Sequence, residues 1–322
     1  MRRLQGTRLA RRLAPADNHC MRRARLWLLP ACLLAWLALP ALAVDADAEA
    51  AMLARWHADR LASLTSDTGW LTLVGLYWFR DGANSFGSAR SNTIALGHAA
   101  LDPRAGRFVL AGRTVRFEPS AGSCVRVDGH PATAGVLRTD AAEEPTLLSC
   151  GSLQFWVIER AGRFGLRVRD LESPARREFR GLEYFPSDAS WAVDARFEPY
   201  EPAHHVPIVN VLGMELDMVS PGAVVFERDG HEWRLDALLE DPSDDSLFLM
   251  FADGTSGHET YGAGRFLYAP LPHDGRVSVD FNKAYSPPCA FTRFATCPLP
   301  PPQNRIALRV TAGELGYRGH SP

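Results

Sequence analysis

Seven short runs between Gly87 and Asp170 decide the fold. They are NTIAL (Asn92–Leu96), GRFVL (Gly106–Leu110), TVRFE (Thr114–Glu118), CVRVD (Cys124–Asp128), GVLRT (Gly135–Thr139), LQFWVIER (Leu153–Arg160) and FGLRVRD (Phe164–Asp170). Each is rich in branched and aromatic residues, and Gly, Pro, Asp or Ser separates it from the next. Such spacing predicts an antiparallel β-sandwich over residues 83–170. Outward from it, DAEAAMLARWHADRLASLT (Asp47–Thr65) carries Leu53, Trp56, Leu61 and Leu64 at near-helical spacing, which predicts one amphipathic helix. GWLTLVGLYWF (Gly69–Phe79) reads as a buried strand or extended segment anchored by Trp70 and Trp78. With the helix it makes up a segment over 44–82.

Residues 171–207 are Pro-rich. Phe179, Tyr184, Phe185, Trp191 and Phe197 predict that this connector packs down onto the core. Strands resume over 208–322: IVNVLG, ELDMV, SLFLMFAD, GRFLYAPL, RVSVDFN and IALRVTAG. VVFERDGHEWRL adds a hairpin that turns at Asp229-Gly230. No βαβ alternation and no repeat period are present. The expectation is a mostly β chain: a sandwich followed by a second β-rich half, with one helix at the front.

The start of the chain reads as a leader for export. Met21 precedes Arg22, Arg23 and Arg25, then the apolar run LWLLPACLLAWLALP, then Ala41-Leu42-Ala43 as a small-x-small cleavage site. Residues 1–20 are either an over-called start or a long basic region, and a lipoprotein reading through Cys32 fits the signal poorly because of Pro30. The run is too short for a membrane span, so the mature chain is expected to be periplasmic or secreted. Removal of residues 1–43 leaves 27 basic against 36 acidic groups, a net charge of −9. An acidic chain without a basic run is a poor nucleic-acid ligand, and no such partner is expected.

Cleavage also removes Cys20 and Cys32, leaving Cys124, Cys150, Cys289 and Cys297. In an oxidising compartment a bridge between Cys289 and Cys297 is the leading expectation. It would close a short, proline-braced loop and contribute about 2–3 kcal/mol on the chain-entropy view. Cys124 and Cys150 are candidates for a second bridge. Thiols packed as small hydrophobes, and Cys289 as a nucleophile, are the competing readings. The cysteines are not closely spaced as zinc ligands, and adjacent His204 and His205 would point to opposite faces of a strand. No metal is expected.

Chemistry-bearing residues concentrate between Thr255 and Glu314. TSGHETYGAGRF supplies His258, Glu259, Tyr261 and Arg265, with Gly262 and Gly264 allowing a tight backbone path. Asp280, Asn282, Lys283 (the chain's only lysine) and Tyr285 follow on DFNKAY. Tyr261, Arg265, Asp280, Asn282, Lys283 and Tyr285 are the candidate ligand-binding set. Glu259, Asp280, His258 and Cys289 are the candidates for catalysis. The competing structural reading pairs Arg265 with Asp280 or Glu259 and spends Asn282 on loop backbone. No nucleophile elbow, His-Glu-x-x-His helix, phosphate loop or dinucleotide fingerprint occurs, and no cofactor is expected.

GWLTLVGLYWFRDGANSFG, ERAGRFGLRVRD, FADGTSGHETYGAGRFL and DFNKAYSPPCAFTRFATCPLPPPQNR together resemble the bacterial and archaeal domain-of-unknown-function family 1684, over residues 65–316. The family form carries Asn where this chain has Ser286. The resemblance implies a fold and a functionally dense C-terminal motif but no reaction. Within the sandwich, GSARSNTIAL, VRVDGHPA and LSCGSLQFWVIER are also similar to the strand order of a forkhead-associated-type module. Arg90, Ser91 and Asn92 match the start of its phosphothreonine-reading pattern, but no Ser-x-x-His follows, so phosphopeptide recognition is not expected. Two functions are left: a binding protein for a small polar or glycan-like ligand, or an exported hydrolase using a carboxylate with His258 or Cys289.

Overall fold

The computed structural model describes residues 39–319, with side chains from Asp47 onward. The basic start and nearly all of the apolar run of the expected leader, with Cys20 and Cys32, lie outside the described residues. Among those described, no helix is long and apolar enough to cross a membrane.

Residues 48–322 form one compact unit. The helix spans Leu39–Thr65, longer than expected at its N-terminal side. Leu53 and Leu64 are buried as the spacing requires, but Leu61 is exposed. A single 3-10 turn, Trp70–Thr72, then leads into the strand Leu73–Trp78. This strand pairs antiparallel with Arg163–Asp170, so the sandwich begins at Leu73 and the aromatic segment belongs to it.

Two sheets make the sandwich. One runs Leu73–Trp78, Arg163–Asp170, Leu153–Arg160, Leu148–Cys150, Arg126–Val127, His130–Pro131. The other runs Ile94–Ala95, Gly82–Gly87, Gly106–Ala111, Thr114–Pro119, Gly135–Leu137. All pairings are antiparallel except that of Phe86 with Ile94. The period-2 alternation sends Phe155, Val157, Leu166 and Val168 inward against Phe86, Phe108 and Phe117 of the facing sheet, forming a shared apolar core. Cys124 and Cys150 are joined by a disulfide at the edge of this core. Asn92 spends its amide on Ala89 O and Pro103 O, holding its own loop.

The second half is a six-stranded antiparallel sheet in the order Arg265–Pro270, Ser246–Phe251, His231–Leu239, Glu215–Arg228, Ala192–Val209, Arg276–Asp280. It curls so that its two outer strands approach one another around a core containing Leu235, Leu249, Leu267, Val279 and Phe281. The hairpin turns at Asp229-Gly230 as expected. Both residues have positive φ (54° and 74°), and Arg228 faces His231 across the turn.

Two expectations fail here. Residues 192–207 are strand and not connector, because Ala192–Val209 tolerates its prolines by breaking register between Pro199 and His204. IALRVTAG is not a strand. Its backbone is held by side chains: Val310 N–H donates to Asp253, and the carbonyls of Val310 and Ala312 accept from Arg265.

Candidate functional site

The sandwich strand Arg163–Asp170 turns Phe164, Leu166 and Val168 into the core, which leaves Arg163, Arg167 and Arg169 on its other face. Each guanidinium lies over an indole: Arg163 over Trp78 at 4.7 Å, Arg167 over Trp70 at 5.8 Å, Arg169 over Trp156 at 4.7 Å. Arg167 differs from the other two in being only 5% exposed. The C-terminal loop covers it, and its one side-chain hydrogen bond among the described residues is from Nη2 to Thr296 Oγ1 at 3.3 Å. Its Nε has no partner, and among the described residues no carboxylate pairs with it. Burial, reinforced by nearby Arg160, lowers its pKa to about 10. It therefore remains cationic at neutral pH, and its desolvation is offset only in part, by Thr296, the Trp70 ring and the more distant charge of Asp140.

Arg167 opens onto a cavity of about 700 Å³. The helix gives this cavity one wall, for Trp56, Asp59, Arg60 and Ser63 fall on one helical face by their spacing. The curled sheet gives Phe248, Phe266 and Tyr268, and the C-terminal loop gives Tyr285, Thr296 and Cys297. Two further cations on the wall are already satisfied. Arg160 Nη2 lies 2.7 Å from Asp140, and Arg60 Nε lies 3.2 Å from Glu314. Arg60 also donates to Ser286 O at 2.9 Å and sits 4.6 Å over the Tyr285 ring. Glu314 is wholly buried. Burial raises its pKa, and the Arg60 charge and the Ser286 N–H pull against that rise. On the opposite side Tyr268 donates to Glu240, and burial pushes the Tyr285 hydroxyl up to about 12. The site is thus an aromatic chamber with one buried positive charge that, among the described residues, no carboxylate contacts directly.

Of the residues expected to bind, Tyr285 alone lines this cavity. Arg265 is 0% exposed and pairs with Asp253 at 3.4 Å, not with Glu259 or Asp280. Asp253 in turn accepts from Thr255 Oγ1 and Val310 N. The TSGHETYGAGR stretch is therefore folded around a buried ion pair. Asn282 donates to Asp188 O at 2.9 Å and accepts from Asp188 N at 3.1 Å, fastening the connector. Lys283 pairs with Asp280 at 3.2 Å one turn away. Tyr261 packs in the apolar cluster around Leu64 and Phe291.

The catalytic candidates do not converge either. His258 is exposed, and exposed Glu259 pairs with Arg309. Cys289 and Cys297 are free thiols and not the expected bridge, and the oxidised pair is Cys124–Cys150. Cys289 N–H donates to Cys297 Sγ at 3.1 Å, so the two meet as hydrogen-bonded partners. Among the described residues no group of three or more His, Cys, Asp or Glu is placed to hold a metal ion.

Sequence reasoning missed Arg167, Arg60, Asp253 and Glu314. Strand alternation in FGLRVRD does put Arg167 on the outer face. No local signal says that a loop about 130 residues later will close over it.

No curated protein matches the chain. An uncharacterized protein of Haloarcula marismortui, solved by solution NMR, is 31% identical over 44% of this chain and 80% of its own, with a TM-score of 0.38. Residues 177–315 match the family described as "Protein of unknown function (DUF1684)", a span that starts well after residue 65 and takes in the curled sheet and the C-terminal loop. Over that span the chain resembles the DUF1684 family.

Proposed function

We propose that the mature protein is an exported binding protein whose cavity takes a small polar ligand bearing an anionic group. The observation that carries this reading is Arg167: a nine-tenths-buried guanidinium, without a carboxylate partner, facing a cavity of about 700 Å³. A ligand carboxylate, phosphate or sulfate would supply the missing counter-charge and take up the free Nε–H. Trp56, Trp70, Tyr268 and Tyr285 suit a flat ring or a sugar face beside that charge, which fits a glycan-like acid. Export draws support from the leader pattern and from Cys124–Cys150, a bond characteristic of oxidising compartments.

The test is a thermal-shift and calorimetric panel of small anions: inorganic phosphate, sulfate, aliphatic and aromatic carboxylates, and sugar acids. At least one should raise the melting temperature of the wild type and leave Arg167→Met unmoved. A silent panel, or a shift that Arg167→Met keeps in full, overturns the reading. For export, intact mass from the native host should begin at Val44, and a mature chain retaining Trp36 refutes it.

A further inference from the structure

Cys289 and Cys297 are used by neither the core disulfide nor the ligand reading, yet they are arranged as a pair. Pro287 and Pro288 lead into the single turn Pro288–Ala290, which carries Cys289. Pro298 follows Cys297 directly. The fixed φ angles of these prolines limit how far either end of the loop can move. The Cys289 main-chain N–H reaches Cys297 Sγ at 3.1 Å, so the Cys297 sulfur already sits against the Cys289 backbone. That contact brings the Cys297 sulfur to the residue it would have to join.

The pair is asymmetric. Cys297 is buried and lines the cavity, whereas Cys289 is partly exposed. The neighbouring Cys297 lowers the Cys289 pKa against the effect of burial, and the charge of Arg167 adds to the lowering. Cys297 is pushed the other way by its Cys289 neighbour and by burial. One sulfur is thereby prepared as a nucleophile, and the other keeps its proton until it is needed.

We propose that Cys289 and Cys297 form a thiol–disulfide exchange site beside the cavity, in which Cys289 attacks and Cys297 resolves. The co-reactant is a low-molecular-weight disulfide, R–S–S–R. Cys289 thiolate attacks one of its sulfurs, breaking the S–S bond, forming Cys289–S–S–R and releasing RS⁻. Cys297 then loses its proton and attacks Cys289 Sγ, forming the Cys289–Cys297 bond and releasing the second RS⁻. The two thiolates take up the two protons the cysteines gave up. Two electrons pass from the protein dithiol to the small disulfide, and excess RSH reverses every step.

The full chain is equilibrated with mixtures of reduced glutathione and glutathione disulfide, quenched in acid, alkylated and mapped. Arg293 lies between the two cysteines, so trypsin turns the bridge into two linked peptides. The expected result is a reversible 289–297 bridge that follows the glutathione ratio while Cys124–Cys150 stays closed throughout. Limited alkylation of reduced wild type should label Cys289 about tenfold faster than Cys297. Cys297→Ser should accumulate a glutathione adduct on Cys289. Thiols that never form the bridge, a bridge that excess reduced glutathione cannot open, or faster labelling at Cys297 each overturn the proposal. The wild-type readouts stand even where a cysteine variant fails to fold, and none of them depends on a ligand in the cavity.

Discussion

Arg265 Nη2 stands 3.4 Å from Asp253 Oδ1, with both side chains wholly shielded from solvent. The guanidinium also donates to Val310 O and Ala312 O, and the carboxylate accepts from Val310 N. A single ion pair therefore fixes the loop after Phe251 and the segment 306–314 together. Removing either partner leaves a buried charge alone. Arg265→Ala and Asp253→Ala should each cost about 3–5 kcal/mol in chemical denaturation. Glu259→Ala breaks only an exposed pair with Arg309 and should cost about 0–1 kcal/mol.

Gly264 and Gly262 should differ sharply. Gly264 has φ +96°, and a Cβ there would lie 2.5 Å from Phe251 O, inside the approach that sets Arg265 in place. Gly264→Ala should lower stability by about 2 kcal/mol or more, combining backbone strain with a clash. At Gly262 the nearest atom to an added Cβ is 3.5 Å away, so Gly262→Ala should change stability by about 0.5 kcal/mol or less. Urea midpoints of the two variants measure this directly.

The two cavity arginines should respond in opposite ways at pH 7. Arg60→Met strands Glu314 in the interior and should cost about 1–3 kcal/mol. Arg167→Met removes a desolvated charge that no carboxylate among the described residues pairs with, so it should be neutral or stabilising while ligand response is lost. Denaturation curves paired with the anion panel separate a structural arginine from one held for a ligand.

Glu314 sets a pH dependence of definite sign. Its folded-state pKa is raised by burial, so the native state holds the proton more tightly than the unfolded chain does. Its contribution is greatest below the ordinary glutamate range and is lost as pH rises through the raised folded value. Glu314→Gln cannot titrate. The stability of wild type minus that of Glu314→Gln should therefore fall as pH rises above about 4.5. A difference that grows with pH over that window would mean that Arg60, and not burial, controls the carboxyl.

The sandwich was legible because its runs alternate, and period-2 alternation is a local property that Phe155, Val157, Leu166 and Val168 satisfy without help. The Asp229-Gly230 turn was legible for the same reason. The strand Ala192–Val209 was hidden by Pro199 and Pro202, which a register break accommodates, and by Pro207, which stays in register opposite Asp217. IALRVTAG carried a strand-like composition, but its amides and carbonyls were claimed by Asp253 and Arg265. The density of polar residues in TSGHETYGAGR and DFNKAY was real, but it serves internal anchoring. The cavity was not legible because it is assembled from a helix, a sandwich face, a curled sheet and a loop. Only distance in space distinguishes Arg167 from the other arginines on its strand.

Arg60 and Glu314 are separated by 254 positions in the chain and meet beside the cavity. A contact of such long range closes a loop of nearly the whole protein, and its entropy must be met before the pair contributes anything. The helical wall of the cavity thus completes its anchoring, begun by Ser286 O and Tyr285, only when the final residues have been made. During synthesis the sandwich and the curled sheet have all their own strands earlier than this. A chain ending before Glu314 should consequently keep the sandwich and the curled sheet but hold the Trp56–Ser63 face more loosely, with its indole more open to quenchers and its amides exchanging faster.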